Sequence, residues 1–256
     1  SVDRAVRAFT RVEQYGRSLR RQRAEPGERR LPVLPGSGLH AEYRCKQWLA
    51  DMGVAFPAGR LATSADEAVA VAEQVGYPVV LKAQSADLPH KSDAGGVVVG
   101  LADEQALRQG WERLQSAVAS ARPELTLDGV LVEAMGRSGV ELIVGARRDP
   151  QWGPVVMVGL GGVWIEALKD VRLLPADVPQ EAIAQEVLAL KGAALLTGLR
   201  GSEPVDIAAI AEVVARVGEV MQSCPEVEEI DINPLVAYPD GVVALDALIV
   251  TSPQHY

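Results

Sequence analysis

The sequence contains very little cysteine. Only Cys45 and Cys224 occur among its 256 residues, far apart and without CxxC spacing. This pattern argues against a disulfide framework or a zinc site, and it is typical of a reducing compartment. We therefore expect both cysteines to be small, buried apolar side chains in a cytoplasmic protein.

Positive charge and long apolar runs are also scarce. The net charge is −9, the isoelectric point is about 5.0, and no block of lysine and arginine interleaved with aromatic residues follows the first thirty residues. Nucleic acid is therefore not an expected partner. No apolar run approaches the length of a membrane span, and SVDRAVRAFTRVEQ lacks the apolar region of a secretion signal. The sequence predicts a soluble protein that binds neither membrane nor nucleic acid.

The chain divides into an N-terminal segment and a main domain. In residues 1–23, apolar side chains recur at helical spacing with arginines on the other face, which predicts an amphipathic helix. Residues 23–38 are rich in proline, glycine and charge, as linkers are. We therefore assign residues 1–38 to a helix and linker and residues 39–256 to the main domain.

The main domain alternates helical and strand patterns. Helices are predicted at residues 41–52, 64–75, 103–121, 179–190 and 205–221. A short extended piece is predicted at VAFPAGR. Strands are predicted in PVVLKA, GGVVVGL, GVLVEAM, GVELIVGARR, GPVVMVGLGGVWIEAL, EVEEIDINPLVAY and GVVALDALIV, the last two separated by a turn at residues 239–241. A mixture of this kind, with antiparallel hairpins, predicts an α+β or mixed α/β fold.

The segment that follows PVVLKA could bind phosphate. Lys82 ends an otherwise apolar strand, where a lysine is costly to bury unless it is paired or meets an anionic ligand. It could equally reach water at the strand end. The polar loop after it contains Gly95 and Gly96, whose backbone N–H groups can approach phosphate oxygens closely because glycine has no Cβ. These residues match neither GxxxxGK[ST] nor GxGxxG, so alone they indicate a nucleotide site only weakly.

Oxygen ligands cluster near the carboxyl end of the sequence. Strand alternation places Asp231 and Asn233 on one face, and Asp246 in the next predicted strand could meet them. Such a set commonly holds Mg²⁺ against a nucleotide. The same residues are equally compatible with a solvated acidic edge.

Two glutamates lie on consecutive predicted strands in the middle of the domain. Glu133 and Glu141 are joined through Gly136 and Gly139. Either could be an ordinary exposed strand residue. A carboxylate can also accept hydrogen bonds from ribose hydroxyls or an adenine amino group, and the VEAM backbone can face a purine edge.

Together these features resemble the ATP-grasp domain of the NDP-forming acyl-CoA synthetases, the relatives of succinyl-CoA synthetase. The matching stretches are GYPVVLKAQSADLPHKSDAGGVVVGL, VLVEAMGRSGVELIVGARRDPQWGPVVMVGLGGVWIEALKDV, LKGAALLTGLRGSEPVDI and EIDINPLVAYPDGVVALDA. The resemblance implies an ATP-grasp fold, in which two α+β subdomains clasp a nucleotide.

The resemblance also implies roles for individual residues. Lys82 would contact the nucleotide phosphates. Glu133 and the backbone of Ala134 and Met135 would hold adenine. Glu141 would contact the ribose or the phosphates. Asn233 and Asp246 match the magnesium ligands. Asp231 stands where the family usually has a glutamate that faces the phosphohistidine, and its side chain is shorter. Gly161 and Gly162 match a glycine turn near the phosphates, and Glu166 is a lesser candidate.

His90 is the candidate phosphoryl carrier. In the resembling synthetases a histidine carries phosphate between nucleotide and acyl group, because neutral imidazole is a good nucleophile near neutral pH. A lone loop histidine is ordinarily solvated, but the HKSD motif favours the carrier role for His90. Lys91 would neutralise phosphoryl charge, and Ser92 or Asp93 would orient the imidazole or the loop.

The resemblance implies ATP or ADP and Mg²⁺ as cofactors, with CoA bound by a partner region. No GxGxxG-bearing CoA-binding region is present in the sequence, so a CoA-ligase domain or α subunit is the expected partner. The N-terminal helix resembles the end of such a region, which suggests a piece of a fused enzyme or an extended β subunit.

Two alternatives to the synthetase stay open. One is a non-synthetic regulatory module of a protein lysine acyltransferase. The other is an ATP-grasp ligase that works without a histidine carrier.

Overall fold

A computed structural model describes residue 34 and the ranges 36–162 and 170–253. The predicted amphipathic helix and most of the predicted linker lie outside the described residues. The strands are β1 (Gly38–Leu39), β2 (Gly59–Ala62), β3 (Val79–Gln84), β4 (Val97–Leu101), β5 (Gly129–Ala134), β6 (Val140–Asp149), β7 (Gly153–Leu160), β8 (Val171–Pro175), β9 (Val227–Tyr238), β10 (Gly241–Ala244) and β11 (Ala247–Thr251). The helices are α1 (Glu42–Asp51), α2 (Ala65–Val75), α3 (Glu104–Ala121), α4 (Gln180–Leu188) and α5 (Ile207–Ser223).

Residues 59–134 form a small lobe around a four-stranded antiparallel sheet in the order β2-β5-β3-β4. Its helices α2 and α3 begin where side chains cap free backbone N–H groups. Ser64 Oγ accepts from Glu67 N at 3.2 Å, and Asp103 Oδ1 accepts from Ala106 N at 2.8 Å. The apolar sides of both helices pack on the sheet around Leu81, so the small lobe has its own core.

The other described residues form a large lobe around a seven-stranded sheet. Its order is β1-β11-β9-β6-β7-β8, and β10 pairs with the second half of β9. Helices α1, α4 and α5 bury their apolar sides in a second core that contains Leu49, Leu142 and Ile230. This core is a separate cluster from that of the small lobe. The predicted mixed α+β fold with two α+β subdomains is confirmed.

Two details of the strand prediction were wrong. GVVALDALIV forms two strands, β10 and β11, with Leu245 and Asp246 between them. The facing position in β9 is Pro234, which has no N–H to donate, so the hydrogen-bond ladder is interrupted there. Strands β1 and β8 were not predicted, because β1 has only two residues and β8 is a short, largely exposed edge strand without clear alternation.

Both cysteines are free and buried, Cys45 in α1 and Cys224 just after α5, which confirms the prediction for their side chains. None of the helices that the structure describes is long and apolar enough to cross a membrane.

Candidate active site

A cleft of about 280 Å³ lies between the two lobes. The small lobe contributes the turn between β3 and β4, including His90 and Lys91, and the large lobe contributes Asp231, Asn233 and Asp246. Residues that are 155 positions apart in sequence, Lys91 and Asp246, are in direct contact here. The structure therefore brings the predicted carrier histidine and the predicted magnesium ligands to one cleft.

The turn that carries His90 is shaped by its glycines. Gly95 has a φ of +68°, in the left-handed region that favours glycine, and its N–H donates to Ser92 O at 3.1 Å. Gly96 N–H donates to Lys91 O at 2.7 Å, and a Cβ at Gly96 would lie 2.8 Å from that oxygen. Both N–H groups are thus used within the turn rather than left free for phosphate. Phosphate contact by these two glycines stays a prediction.

Six charged side chains meet beside the cleft, and we call them the charge cluster. Its members are Glu42 and Lys46 of α1, Lys82 of β3, Lys91, Glu133 of β5 and Asp246. The first five are buried, with at most 9% of each residue exposed. Three lysines face three carboxylates, so the charges balance, as buried charges require.

Most of the short contacts in the charge cluster cross from one lobe to the other. Lys46 Nζ lies 2.7 Å from Glu133 Oε1, and Lys82 Nζ lies 2.9 Å from Glu42 Oε1. Lys82 also donates to the backbone carbonyl of Leu245. The lobes are therefore joined by ion pairs next to the cleft.

The charges of the cluster fix the protonation of two of its members, Glu42 and Lys82. Burial alone would raise the pKa of Glu42, but the ammonium groups of Lys82, Lys46 and Lys91 hold it well below its usual value. Burial alone would lower the pKa of Lys82, but the carboxylates of Glu42 and Glu133 raise it. Both side chains are therefore charged at neutral pH, and the lysine that the resemblance assigns to nucleotide phosphates is a permanent cation.

The acidic wall of the cleft suits a divalent cation. Burial, then Glu229 and Asp246, raises the pKa of Asp231 to about 6. Burial and Glu42 raise the pKa of Asp246, against the effect of Lys91. Carboxylates that repel each other in this way are stabilised by a bound cation, and with the Asn233 amide they supply the oxygen donors that Mg²⁺ prefers. No group of three histidine, cysteine or acidic side chains with metal-site geometry occurs within the described ranges.

The predicted adenine residues lie away from the cleft lining. Glu133 is only 2% exposed, and its carboxylate is bound by Lys46 and Lys82. The N–H groups of Ala134 and Met135 donate to Ala58 O and Pro78 O. The Met135 side chain is 47% exposed and free to contact a ring. An adenine contact at this segment stays a prediction.

Glu141 meets the predicted glycine turn. Gly161 N–H donates to Glu141 O at 2.7 Å, and a Cβ at Gly162 would lie 2.6 Å from Glu141 Oε2. Gly162 has a φ of +58°, so glycine suits this position in two ways. Glu166 lies outside the described residues, and contact of any of these groups with a nucleotide stays a prediction.

Two functional candidates were missed in the sequence. Glu42 and Lys46 are spaced i, i+4 on α1, and the sequence analysis placed them in a predicted helix without giving them a role. The signal that could have found them is their place on the same side of α1 as Cys45 and Leu49, which follow Glu42 at i+3 and i+7. Burial of a charged pair, however, depends on the second lobe, which the local pattern does not show.

The comparisons with known proteins decide the family. A family model described as an ATP-grasp domain matches residues 35–251. The chain belongs to the ATP-grasp family. It is 44% identical over 256 residues to trans-feruloyl-CoA synthase FCS1 from an unknown prokaryotic organism, covering 97% of this chain but only 36% of the synthase. It is 39% identical to the β subunit of ADP-forming acetate-CoA ligase I of Pyrococcus furiosus, covering 82% of this chain and 90% of that subunit.

Solved structures show which type of ATP-grasp domain this is. The acetyl-coenzyme A synthetase 1 of Ca. Korarchaeum cryptofilum, in complex with coenzyme A and Ca-AMPCP, matches with 39% identity and a TM-score of 0.82, over 85% of this chain and 95% of that chain. The same enzyme with Mg-AMPPCP matches with 37% identity and a TM-score of 0.72, over 82% of this chain and 92% of that chain, and its phosphohistidine segment points towards the nucleotide binding site. This domain is thus the β-subunit type of ATP-grasp domain found in ADP-forming acyl-CoA synthetases.

Proposed function

We propose that this ATP-grasp domain binds the nucleotide and transfers the phosphoryl group in the reaction acyl-CoA + ADP + phosphate ⇌ carboxylic acid + ATP + CoA, with His90 as the phosphoryl carrier. The observation that carries the proposal is the position of His90, which is exposed and lines the same cleft as Asp231, Asn233 and Asp246. A nucleophile, fixed cations and oxygen donors for a metal thus share one site.

The transfer step needs a nucleophile aimed at the γ-phosphorus of ATP. A lone pair of the neutral His90 imidazole forms the N–P bond, the bond from phosphorus to the bridging oxygen of ADP breaks, and ADP leaves with that electron pair. The phosphorylated ring then gives its N–H proton to water, which leaves a neutral imidazole ring that carries the anionic phosphoryl group. The reverse sequence makes ATP from ADP. Lys82 and Lys91 stabilise the phosphoryl oxygens as charge builds on them.

The cation site would be formed by the large lobe. Asn233 and Asp246 would hold Mg²⁺, which when bound neutralises phosphate charge. Asp231 would face the carrier histidine from the opposite wall of the cleft. Glu133, Ala134 and Met135 would contact adenine, Glu141 the ribose or phosphates, and Gly95 and Gly96 would support the turn beside the phosphates.

The rest of the reaction would occur on a partner. CoA and the acyl group would be bound by a CoA-ligase domain or α subunit, which hands phosphate to and from His90. Two free, buried cysteines suit a protein that works in a reducing cytoplasm.

The test is transfer of label from γ-labelled ATP with Mg²⁺, in the presence and absence of the CoA-ligase partner. We expect acid-labile, base-stable phosphate on wild-type protein and on the His255→Ala control, and none on His90→Ala. His90→Ala should also abolish turnover of the whole synthetase.

Two other results would overturn the carrier role. Turnover that survives His90→Ala would favour a carrier-free ligase. Normal nucleotide binding without any label, even with the partner, would favour the regulatory module.

A further inference from the structure

Glu42 is an acceptor shared by three lysines, Lys46, Lys82 and Lys91, and the last two have different tasks. It is the first residue of α1 and is buried at 6% exposure. Its Oε1 lies 2.9 Å from Lys82 Nζ, and its Oε2 lies 2.9 Å from Lys91 Nζ. One carboxylate of the large lobe therefore links the nucleotide lysine of β3 to the turn that carries His90.

The two lysines depend on Glu42 to different degrees. Lys82 keeps Glu133, at 3.0 Å, and the Leu245 carbonyl if Glu42 is lost. Within the described part of the chain, the Lys91 ammonium contacts only Glu42 and Asp246, the latter at 2.7 Å. Removing Glu42 should therefore loosen Lys91 far more than Lys82.

The Asp246 carboxylate cannot bind the Lys91 ammonium and a metal ion equally well at the same time. Its Oδ1 accepts the N–H of Ala247, and its Oδ2 accepts from Lys91. A divalent cation at Asn233 and Asp246 competes with the ammonium for the same carboxylate. When the metal–nucleotide complex is bound, Glu42 is the carboxylate that still anchors Lys91.

We propose that Glu42 is a positioning residue that holds Lys91, and with it the His90 turn, in the cleft while Asp246 is engaged by the metal. The proposal rests on the proposed function. Glu42 touches neither phosphate nor metal in this scheme. It acts through Lys91, whose neighbour His90 must stay aligned with the γ-phosphorus.

The test compares wild type with Glu42→Gln in three measurements: the rate of His90 phosphorylation, the nucleotide Kd with Mg²⁺, and amide exchange at Gly95 and Gly96. We expect phosphorylation to slow by about 10-fold to 100-fold, as for other groups that orient a ligand through hydrogen bonds. Nucleotide Kd should stay within about threefold, because Lys82 keeps its other partners. Exchange at both glycines should speed up, most clearly with Mg²⁺-nucleotide bound.

Further variants separate positioning from a general loss of structure. Lys91→Met should slow transfer as Glu42→Gln does, and the double variant should be no slower than Lys91→Met alone, because Glu42 acts through Lys91. The double variant also keeps two lysines against two carboxylates, so it stays informative if Glu42→Gln alone does not fold. Glu42→Asp should recover part of the rate.

Several results would overturn the proposal. They are unchanged exchange at Gly95 and Gly96, additive losses in the double variant, or a Kd that weakens as much as the rate falls. Wild-type protein without label would instead reject the carrier function, while the exchange measurement would still decide whether Glu42 holds the turn.

Discussion

The two lobes differ in what they bring to the cleft. The small lobe contributes the nucleophile His90 and the cation Lys91 to the cleft lining, and it contributes Lys82 of β3 to the charge cluster beside the cleft. The large lobe contributes oxygen donors, Asp231, Asn233 and Asp246, from β9 and the break between β10 and β11. In the charge cluster the small lobe supplies two lysines and one carboxylate, and the large lobe supplies one lysine and two carboxylates, so the charges balance only when both lobes are present.

The lobes are also stabilised differently from the joint between them. Each has its own apolar core, whereas the joint contains the ion pairs of the charge cluster. A phosphate group does not disturb apolar contacts, but it competes with the carboxylates of the ion pairs for the lysine side chains. The joint is thus the part of the molecule that an anionic ligand can alter, while the two cores stay fixed.

The largest loss of stability is expected when the ion pairs between the lobes lose the charge of Lys46. Lys46→Met leaves Glu133, at 2% exposure, with one cation fewer, and loss of one partner of a buried ion pair costs about 3–5 kcal/mol. Urea unfolding should show this loss, with the exposed Lys191→Met as an unaffected control. Lys46→Met/Glu133→Gln should regain part of it. A single variant as stable as its control would show that the joint does not depend on these charges.

A smaller effect, confined to one lobe, is expected from each core. Leu81→Ala in the small lobe and Leu142→Ala in the large lobe each remove a fully buried side chain and should cost about 2–4 kcal/mol. Because the cores are separate, Leu81→Ala should speed amide exchange in β3 and β5 more than in β9, and Leu142→Ala should do the reverse. Equal acceleration in both lobes would mean that the joint makes them unfold as one.

Helix caps should contribute about equally in the two lobes. Asp103 caps α3 in the small lobe, and Asp206 caps α5 in the large lobe by accepting from Ala209 N at 2.9 Å. Replacing either by alanine should cost about 1 kcal/mol, measured by thermal unfolding. Asparagine at the same positions should restore most of the loss. A cap whose alanine variant is as stable as wild type would not be supporting its helix.

The smallest effect is a pH dependence in the large lobe. Burial, then Arg44, lowers the pKa of His40 below 6.5, and His40 Nε2 lies 2.8 Å from Thr251 Oγ1. As the pH falls, His40 is protonated in the unfolded chain before it is protonated in the folded protein. The contribution of neutral His40 to the free energy of unfolding is therefore complete above pH 6.5 and falls as the pH drops towards the folded pKa. Wild type should therefore lose more stability than His40→Gln between about pH 7.5 and about pH 5.5. Equal losses in calorimetry would contradict the assignment.

Much of the fold could be predicted locally. The Ser64 and Asp103 caps mark helix starts that the structure confirms, because capping involves residues three positions apart. The split between β10 and β11 could not be predicted from GVVALDALIV itself, since its cause is Pro234 on the facing strand. For the site, alternation correctly placed Asp231 and Asn233 together, whereas no local pattern singled out Glu42 and Lys46, because their burial depends on the second lobe.

The sequence by itself determined the helices, most strands and the ATP-grasp motifs, because capping, alternation and motif spacing act within a few residues. Only the tertiary structure decided which charges pair. The position of Lys91 between Glu42 and Asp246, 49 and 155 residues away in the chain, follows from the meeting of the two lobes. A buried charge needs a partner at about 3 Å, and which residue comes that close depends on packing rather than on sequence distance.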